Sequence, residues 1–293
     1  MNKFLKFLLY GFLSLLLLGI IGMGAFVYKV KYGFPFYDST PPTLSVEMNN
    51  FSVLLFSKTN GFPHSEAIAS AIPAFEKMAK KNDWSIYTTN NAAIFNPEQL
   101  AKFDVVIWSN ATGRNLTDEQ RMAFKQYMEN GGGFLGIHGT GDASHHWDWY
   151  YQTLIGAHFS HHPLSPQIQA ANLHLACDST SSYPCLGLPT TFKRSDEWYV
   201  FYDNPRANGF NVLYTLEEKG VEMSGNIKFL VDDKDFGMGA DHPIIWYKCL
   251  PNGGRTFYSA MGHTGASFQE PIHLEILEKG IQWVGQQVGT CQE

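Results

Sequence analysis

GGGFLGIHGTG, residues 131 to 141, says most about the architecture of this chain. Its short apolar run, Phe134 to Ile137, follows a polar helical segment and is typical of a buried parallel strand. Glycines on both sides of Ile137-His138 allow a sharp turn, which places the His138 imidazole beyond the carboxyl end of the strand, where open α/β sheets bind ligands. His138 is therefore the first candidate for the chemistry, and a hydrogen-bonded loop histidine is the structural alternative.

Strands and helices alternate around this stretch. The predicted elements are strands at 52–56, 84–88, 103–108 and 133–137 and helices at 65–81 and 117–130. Thr117 and Gln120 are spaced for a capping box at the start of the second helix. Alternation of this kind implies right-handed crossovers and a mainly parallel sheet with helices on both faces. The predicted fold class is therefore α/β, a flavodoxin-like three-layer sandwich.

The second half of the chain is richer in strand signals. Strands are predicted near 167–176 and 211–215, a hairpin over 243–260 that turns at Asn252-Gly253-Gly254, and a helix after Pro271. Neither an internal repeat nor a break in composition divides this part of the chain. We therefore predict one domain over residues 51–290, with a β-rich C-terminal extension.

The N-terminus carries an apolar run without a charged residue, from Phe7 to Tyr28, with lysines on both sides. The run is long enough to cross a bilayer, and it lacks the short apolar core and the clear cleavage site of a cleavable signal peptide. We therefore predict a transmembrane signal anchor at 1–31, joined to the domain by a proline-containing linker at 32–50. Lysines on both flanks leave the orientation open.

The four cysteines favour an oxidising compartment. Cys177 and Cys185 flank a turn-rich loop that a disulfide could close, whereas the pairing of Cys249 and Cys291 is not determined by the sequence. None of the four has the surroundings of a nucleophile or of a zinc cluster. A disulfide and a signal anchor together predict a membrane-anchored protein whose soluble domain lies in the periplasm or outside the cell.

The charge of the chain argues against one class of partner. The 21 Lys and Arg residues and 27 Asp and Glu residues give a formal net charge of −6, and four of the lysines lie within the first 31 residues. The remaining chain therefore carries about −10. A domain this acidic repels phosphate backbones, so we expect no nucleic-acid partner.

Histidines recur where the predicted strands end. His64 follows the first strand, His138 the fourth and His263 the last, and loops at the same ends of parallel strands converge in space. Nearby segments add further titratable groups: Asp142, His145, His146, His161, His162, Asp196 and Glu197. Imidazole is a common ligand of divalent metals, so His138, His162 and His263 are candidate metal ligands. No His-x-x-x-His spacing supports a metal, so a divalent ion stays an option and no other cofactor is indicated.

Acid–base chemistry is the second option for these groups. A histidine and a carboxylate shielded from water can be tuned to titrate near neutral pH, and we predict His138 and Glu197 as this pair. Aromatic residues near these positions suit the apolar faces of sugar rings, although each taken alone is more simply explained as core. The predicted substrate-binding residues are His64, Asp142, His162, Trp198 and His263.

Five groups of residues form a specific pattern when taken in order. They are Gly61-Phe62-Pro63-His64; residues 131–138 with Asp142; Gly156-Ala157-His158-Phe159 before His162-Pro163; Asp196-Glu197-Trp198-Tyr199; and Pro243-Ile244-Ile245-Trp246 followed by residues 254–258 and Gly262-His263. This pattern resembles the ThuA-like family, the trehalose-utilisation proteins. The resemblance covers nearly all of residues 52–286.

The resemblance implies a sandwich similar to that of the class I glutamine amidotransferases, in which His138 stands where those enzymes hold their cysteine nucleophile. Glutamine hydrolysis through a thiolate is therefore excluded. The resemblance also implies carbohydrate metabolism, with trehalose-type disaccharides or their oxidised keto forms as substrates. The membrane anchor and the segment from Cys177 to Cys185 depart from the usual cytoplasmic form of the family.

Two functions from different classes remain. The first is an enzyme acting on a sugar or a sugar derivative, with His138 and Glu197 as its acid–base pair and a metal as an optional aid. The second is a non-catalytic sugar-binding or assembly module in the cell envelope, in which the same polar crevice only holds a glycan. We favour the enzyme, because several polar groups converging on one pocket usually indicate chemistry.

Overall fold

The computed structural model describes residues 2–44, 48, 50–177, 183–225 and 234–291. Its helices are α1 (Lys3–Tyr32), α2 (Ser65–Asn82), α3 (Pro97–Leu100), α4 (Asp118–Glu129), α5 (Asp148–Tyr150) and α6 (Pro271–Val284). Its strands are β1 (Ser52–Phe56), β2 (Ser85–Thr89), β3 (Val105–Ser109), β4 (Gly133–Ile137), β5 (Phe159–His161), β6 (Gln169–Leu175), β7 (Thr191–Asp196), β8 (Val200–Phe201), β9 (Asn211–Leu216), β10 (His242–Cys249) and β11 (Arg255–Ser259).

Nine strands form one sheet in the order β2-β1-β3-β4-β11-β10-β9-β6-β7. The first five of these are parallel to one another, and β10, β9, β6 and β7 continue the sheet through antiparallel pairings. β5 and β8 form a separate antiparallel pair. This arrangement confirms the predicted α/β class, with a parallel core and a β-rich C-terminal extension.

Burial explains why the parallel core forms. Every residue of β1, β3, β4 and β11 is buried, as expected for strands that are covered on both faces. α2 buries Ala67, Ala71 and Phe75 in the hydrophobic core. α4 begins at the predicted capping box, in which the side chains of Thr117 and Gln120 each bond the other residue's backbone. These elements give the carboxyl edge of the sheet a rigid frame.

β7 is absent from the sequence-based prediction. The strand lies at the edge of the sheet, and most of its side chains are not buried. Its sequence, TFKRSD, therefore needs no apolar run and contains none. The strand matters for function, since Glu197 follows its last residue.

α1 is the one helix among the described residues that is long and apolar enough to cross a membrane. Its last turn contacts the domain: the Tyr32 ring stacks on His146 at 5.1 Å, and the Arg114 guanidinium donates to the Tyr32 carbonyl at 3.2 Å. Gly33 ends the helix with a φ of 69°, and a Cβ there would lie 2.8 Å from the Gly113 Cα. Only glycine therefore fits this joint between helix and domain.

The described part of the predicted linker lies against the domain. Asp38 pairs with Lys58 at 2.7 Å, and the Phe34 N–H donates to the Asn60 carbonyl at 3.0 Å. Residues 33–44 thus follow the surface of the domain, and residues 45–47 and 49 of the linker lie outside the described residues.

Two disulfides are present. Cys177–Cys185, the predicted bond, links the segment after β6 to the segment before β7. Cys249–Cys291, a pairing that the sequence left open, ties the end of β10 to the chain beyond α6. All four cysteines are therefore paired, which fits an oxidising compartment.

Candidate functional site

His138 begins a short turn directly after β4, and its backbone lies in the left-handed region with a φ of 46°. This conformation costs a non-glycine residue on the order of 1 kcal/mol. The Tyr258 hydroxyl holds the turn by donating to the His138 carbonyl at 2.8 Å. The imidazole is fully buried, and its Nδ1 donates to the Ala260 carbonyl at 2.7 Å. This bond sets the tautomer, so Nε2 presents its lone pair to the site.

Glu197 is the centre of the site. Its Oε2 lies 3.2 Å from both His138 Nε2 and His263 Nδ1, and its Oε1 lies 3.1 Å from His162 Nδ1. Gln167 donates a further hydrogen bond to Oε1 at 2.6 Å. The carboxylate is 1% exposed, so these neighbours, rather than water, balance its charge.

His64 completes the group. Its ring lies 5.0 Å from the His138 ring and 5.1 Å from the His263 ring, edge-on to both. Gly139 permits this approach, because a Cβ there would lie 2.8 Å from the His64 ring. The structure thus brings the three histidines together at the carboxyl edge of the sheet. We call the following residues the Glu197 cluster: Glu197, His64, His138, His162 and His263.

Asp196 holds the loop that carries His263. Its carboxylate accepts the backbone N–H groups of Gly262 at 2.8 Å and His263 at 3.1 Å, and it pairs with Arg194 at 2.9 Å. Burial opposes ionisation of Asp196, but the Arg194 guanidinium and the other neighbours outweigh it and lower the pKa of the carboxyl. Asp196 therefore positions the cluster without belonging to it.

The charges of the cluster depend on burial and on the shared carboxylate. Burial opposes ionisation of Glu197, but the adjacent His138 and His263 imidazoles outweigh it and hold the pKa of the carboxyl well below its usual range. Burial also opposes protonation of His263, but the hydrogen bond to Glu197 raises the pKa of this imidazole. Burial lowers the pKa of His162, and it lowers that of His64 well below the usual value. One anionic carboxylate thus lies among imidazoles of unequal basicity.

Four members of the cluster are placed to hold a metal ion. One donor atom from each of His64, His138, His263 and Glu197 lies within 4.8 Å of the other three. The sequence suggested His162 in this role, whereas the structure groups His64 with the other ligands and leaves His162 on the far oxygen of Glu197. Imidazole and carboxylate are the ligands that Zn²⁺ and similar divalent ions accept.

Two predicted substrate-binding residues lie apart from the cluster. Asp142 caps the turn at 143–145, where its Oδ1 accepts the Ser144 N–H at 2.8 Å, and burial raises its pKa to about 6. Trp198 is fully buried, and its indole N–H donates to the Gln169 carbonyl at 2.8 Å. The prediction for Trp198 is therefore corrected, because its ring has no surface left for a sugar. Trp198 packs in the core, and the substrate-binding role of Asp142 stays a prediction.

Three other histidines also lie outside the cluster. His145 packs against aromatic rings in the core, and His146 lies in the joint with α1. His161 contacts the Met223 carbonyl at 2.8 Å through Nε2. The adjacent histidines at the end of β5, His161 in the strand and His162 directly after it, thus face different surroundings, since His162 reaches the cluster and His161 does not.

Tyr199 and Gln167 were not among the predicted site residues. Tyr199 is buried, and its ring lies 4.3 Å from the His138 ring. Residues two apart on extended backbone point to the same side. If Glu197 belongs to the site, Tyr199 is therefore a better candidate for the site than Trp198. Gln167 carries no local signal, because only the folded chain brings it to Glu197.

Comparison with known proteins agrees with this architecture. The family model described as trehalose utilisation, ThuA, matches residues 52–284. A ThuA-like protein from Bacteroides uniformis ATCC 8492 is 25% identical, with a TM-score of 0.65, over 86% of this chain and 95% of that protein. A ThuA-like protein from Parabacteroides merdae ATCC 43184 is 17% identical, with a TM-score of 0.62, over 84% of this chain and 93% of that protein. A comparison with curated proteins found no match.

Proposed function

The chain belongs to the trehalose-utilisation (ThuA) family, and from this premise we propose that it is an enzyme that acts on a sugar or a sugar derivative at the Glu197 cluster. One observation carries the proposal: a buried carboxylate contacts three imidazoles that come from three separate segments of the chain. The family description itself indicates a carbohydrate-related role.

Folding does not require such an arrangement. Buried charges cost several kcal/mol in desolvation, and apolar side chains of the same size usually stabilise a core at least as well. The cluster lies beyond the carboxyl ends of β1, β4 and β11, where open α/β sheets bind their ligands. Converging titratable groups at such a position support a reaction more than a structural role.

His162 is the group that we place against the substrate. Its side chain is 25% exposed, whereas those of His138 and Glu197 are 0% and 1% exposed. His162 Nδ1 donates to the Pro163 carbonyl at 3.0 Å and faces Glu197 Oε1 at 3.1 Å. Its Nε2 is then the atom that accepts a proton from the substrate and returns it. His138 and Glu197, the predicted acid–base pair, act behind His162 as positioning residues.

Phe62 supports a sugar as the substrate. Its side chain is 37% exposed, and its ring lies 5.3 Å from the His64 ring. The apolar face of a sugar ring can pack on such an exposed aromatic ring. The imidazoles beside it can then bond to the hydroxyl groups of the sugar. We therefore propose Phe62, in place of Trp198, as the aromatic residue that binds the sugar.

The turnover experiment uses trehalose-type disaccharides and their oxidised keto forms, with products followed by NMR. We expect product from the wild-type chain and a loss of at least ~100-fold in His162→Gln, because the proton-accepting group is removed. His161→Gln is the matched control, since it changes the adjacent imidazole that faces Met223. Saturable sugar binding without product would favour the non-catalytic module. Equal turnover in both variants would refute the role of His162.

We also propose that α1 anchors the protein in a membrane, with the domain in the periplasm or outside the cell. The length and apolar composition of α1 and the two disulfides support this location. Cell fractionation should recover the full-length chain with the membranes, and protease added from outside the inner membrane should digest the domain. A soluble mature chain that begins after α1 would identify a cleaved signal peptide and overturn the anchor.

A further inference from the structure

We propose that His64, His138, His263 and Glu197 bind one divalent transition-metal ion, and that Zn²⁺ suits these ligand types best. This inference deepens the proposed function and rests on it for the location of the reaction. Metal binding itself can be measured without any turnover, so the two proposals can fail separately.

The distances between donor atoms fit ligands of a single ion. His138 Nε2, His263 Nδ1 and Glu197 Oε2 lie 3.1 to 3.2 Å from one another. Zn²⁺ holds nitrogen and oxygen ligands at about 2.0–2.2 Å in a tetrahedron, whose ligand atoms are then roughly 3.3 Å apart. The three donor atoms therefore already have the spacing of one face of a coordination tetrahedron.

His138 is held in the manner of a metal ligand. Its Nδ1–H donates to the Ala260 carbonyl at 2.7 Å, so its lone pair is on Nε2. Metal-binding histidines usually make such a bond through their second nitrogen, because it sets both the tautomer and the ring orientation. His138 Nε2 also lies 3.1 Å from His263 Nδ1, and two ring nitrogens this close need a proton or a cation between them.

His64 supplies an independent observation. The residue is 7% exposed, and its Nδ1 is buried without a hydrogen-bond partner in the described part of the chain. A buried nitrogen without a partner destabilises the fold. One ring nitrogen of His64 lies within 4.8 Å of the donor atoms of the other three ligands, which makes His64 the fourth ligand of the proposed set.

Glu197 presents one oxygen to the metal site and keeps the other outside it. Oε1 is occupied by Gln167 at 2.6 Å and by His162 at 3.1 Å, which leaves Oε2 as the ligand oxygen. His162 thus contacts a ligand without being one. The proposed metal site and the proposed proton transfer therefore use different side chains.

The experiment uses the full-length chain in detergent, purified without a metal-affinity tag and stripped with a chelator. Zn²⁺ or Co²⁺ is then added back, bound metal is measured by elemental analysis, and the visible spectrum of the Co²⁺ form is recorded. We expect about one ion per chain and a Co²⁺ spectrum typical of imidazole ligands. Because the ion binds only the folded chain, the Tm should rise when it is added.

Two ligand variants and one control make the assignment specific. His138→Asn introduces a residue that tolerates the left-handed backbone, and His64→Gln keeps a polar side chain. Each should weaken binding by ~100-fold or more, since removing even an outer-shell partner costs a metal site 10–100-fold. His242→Gln is the control, because both ring nitrogens of this buried histidine already bond protein oxygens. Its metal affinity should equal that of the wild type.

A wild-type chain that takes up no ion would overturn the metal site, as would wild-type affinity in both ligand variants. If a ligand variant fails to fold, the metal content and the Tm change of the wild type decide the question. Stoichiometric binding that both ligand variants lose, in a protein that turns over no sugar, would support the metal site and count only against the proposed function.

Discussion

Among the described residues, a fully buried imidazole meets a glutamate at two places, His242 with Glu218 and His138 with Glu197, and the two places differ in what they leave unpaired. His242 lies 2.7 Å from Glu218 and 2.8 Å from the Tyr199 carbonyl, so both of its ring nitrogens are bonded within the protein. In the Glu197 cluster, three imidazoles approach one carboxylate, and His64 keeps a buried nitrogen without a partner among the described residues. Hydrogen-bond pairing, more than residue type or burial, therefore distinguishes a histidine that only supports the fold from the histidines of the candidate site.

The largest effect is expected from Glu197→Gln, which keeps the shape of the side chain and removes its charge. Turnover should fall by at least ~100-fold, because the imidazoles lose the anion that orients them. Thermal unfolding of the same preparation should show that the chain still folds. Wild-type turnover in this variant would contradict this distinction, because Glu197 would then serve only the fold, as Glu218 does.

The reverse result is expected from His242→Gln. The change leaves either the Glu218 carboxylate or the Tyr199 carbonyl without the donor that His242 supplies. The free energy of unfolding should therefore fall by about 1–3 kcal/mol. Turnover below the Tm should stay at the wild-type level, because both ring nitrogens of His242 serve the fold. Urea unfolding and kinetics measure the two effects, and a loss of turnover in the folded variant would show that the two contacts are not distinct in role.

His145 is a buried histidine that contacts no carboxylate among the described residues and lies among aromatic rings, near Arg121. Burial, with a smaller contribution from Arg121, lowers the pKa of His145 to about 3. The unfolded chain binds this proton near pH 6.5 and the folded chain does not, so stability should fall with decreasing pH, by about 1 kcal/mol between pH 6.5 and 5.5. His145→Phe should remove this part of the loss. Identical pH dependence in urea unfolding of the two proteins would contradict the assignment.

The parallel core could be predicted from the sequence because its strands are apolar throughout. Burial on both faces requires such runs, and β1, β3 and β4 lie within two residues of their predicted positions. β7 could not be found in the same way, because an edge strand needs few apolar side chains. Continuous apolar runs predict the buried strands of the core, and the strands of the C-terminal extension contain fewer such runs.

The site could be predicted in part for a related reason. His64, His138 and His263 follow parallel strands, and parallel strands bring their carboxyl ends together. No such rule distinguishes His162 from His161, because the pairing of β5 with β8 is irregular between Phe159 and His161. The choice between these two histidines depends on tertiary contacts that the local sequence does not contain.

The joint at the end of α1 determines how a membrane-anchored form of this protein would search for its substrate. Gly33 packs against Gly113, and Phe34 bonds to Asn60, four residues before His64 in the same loop. In that form, a domain held this closely to its helix would move together with it and diffuse in the plane of the bilayer. If its substrate is the sugar that we propose, saccharides concentrated at that surface would be encountered more often than the same saccharides diluted in the surrounding volume.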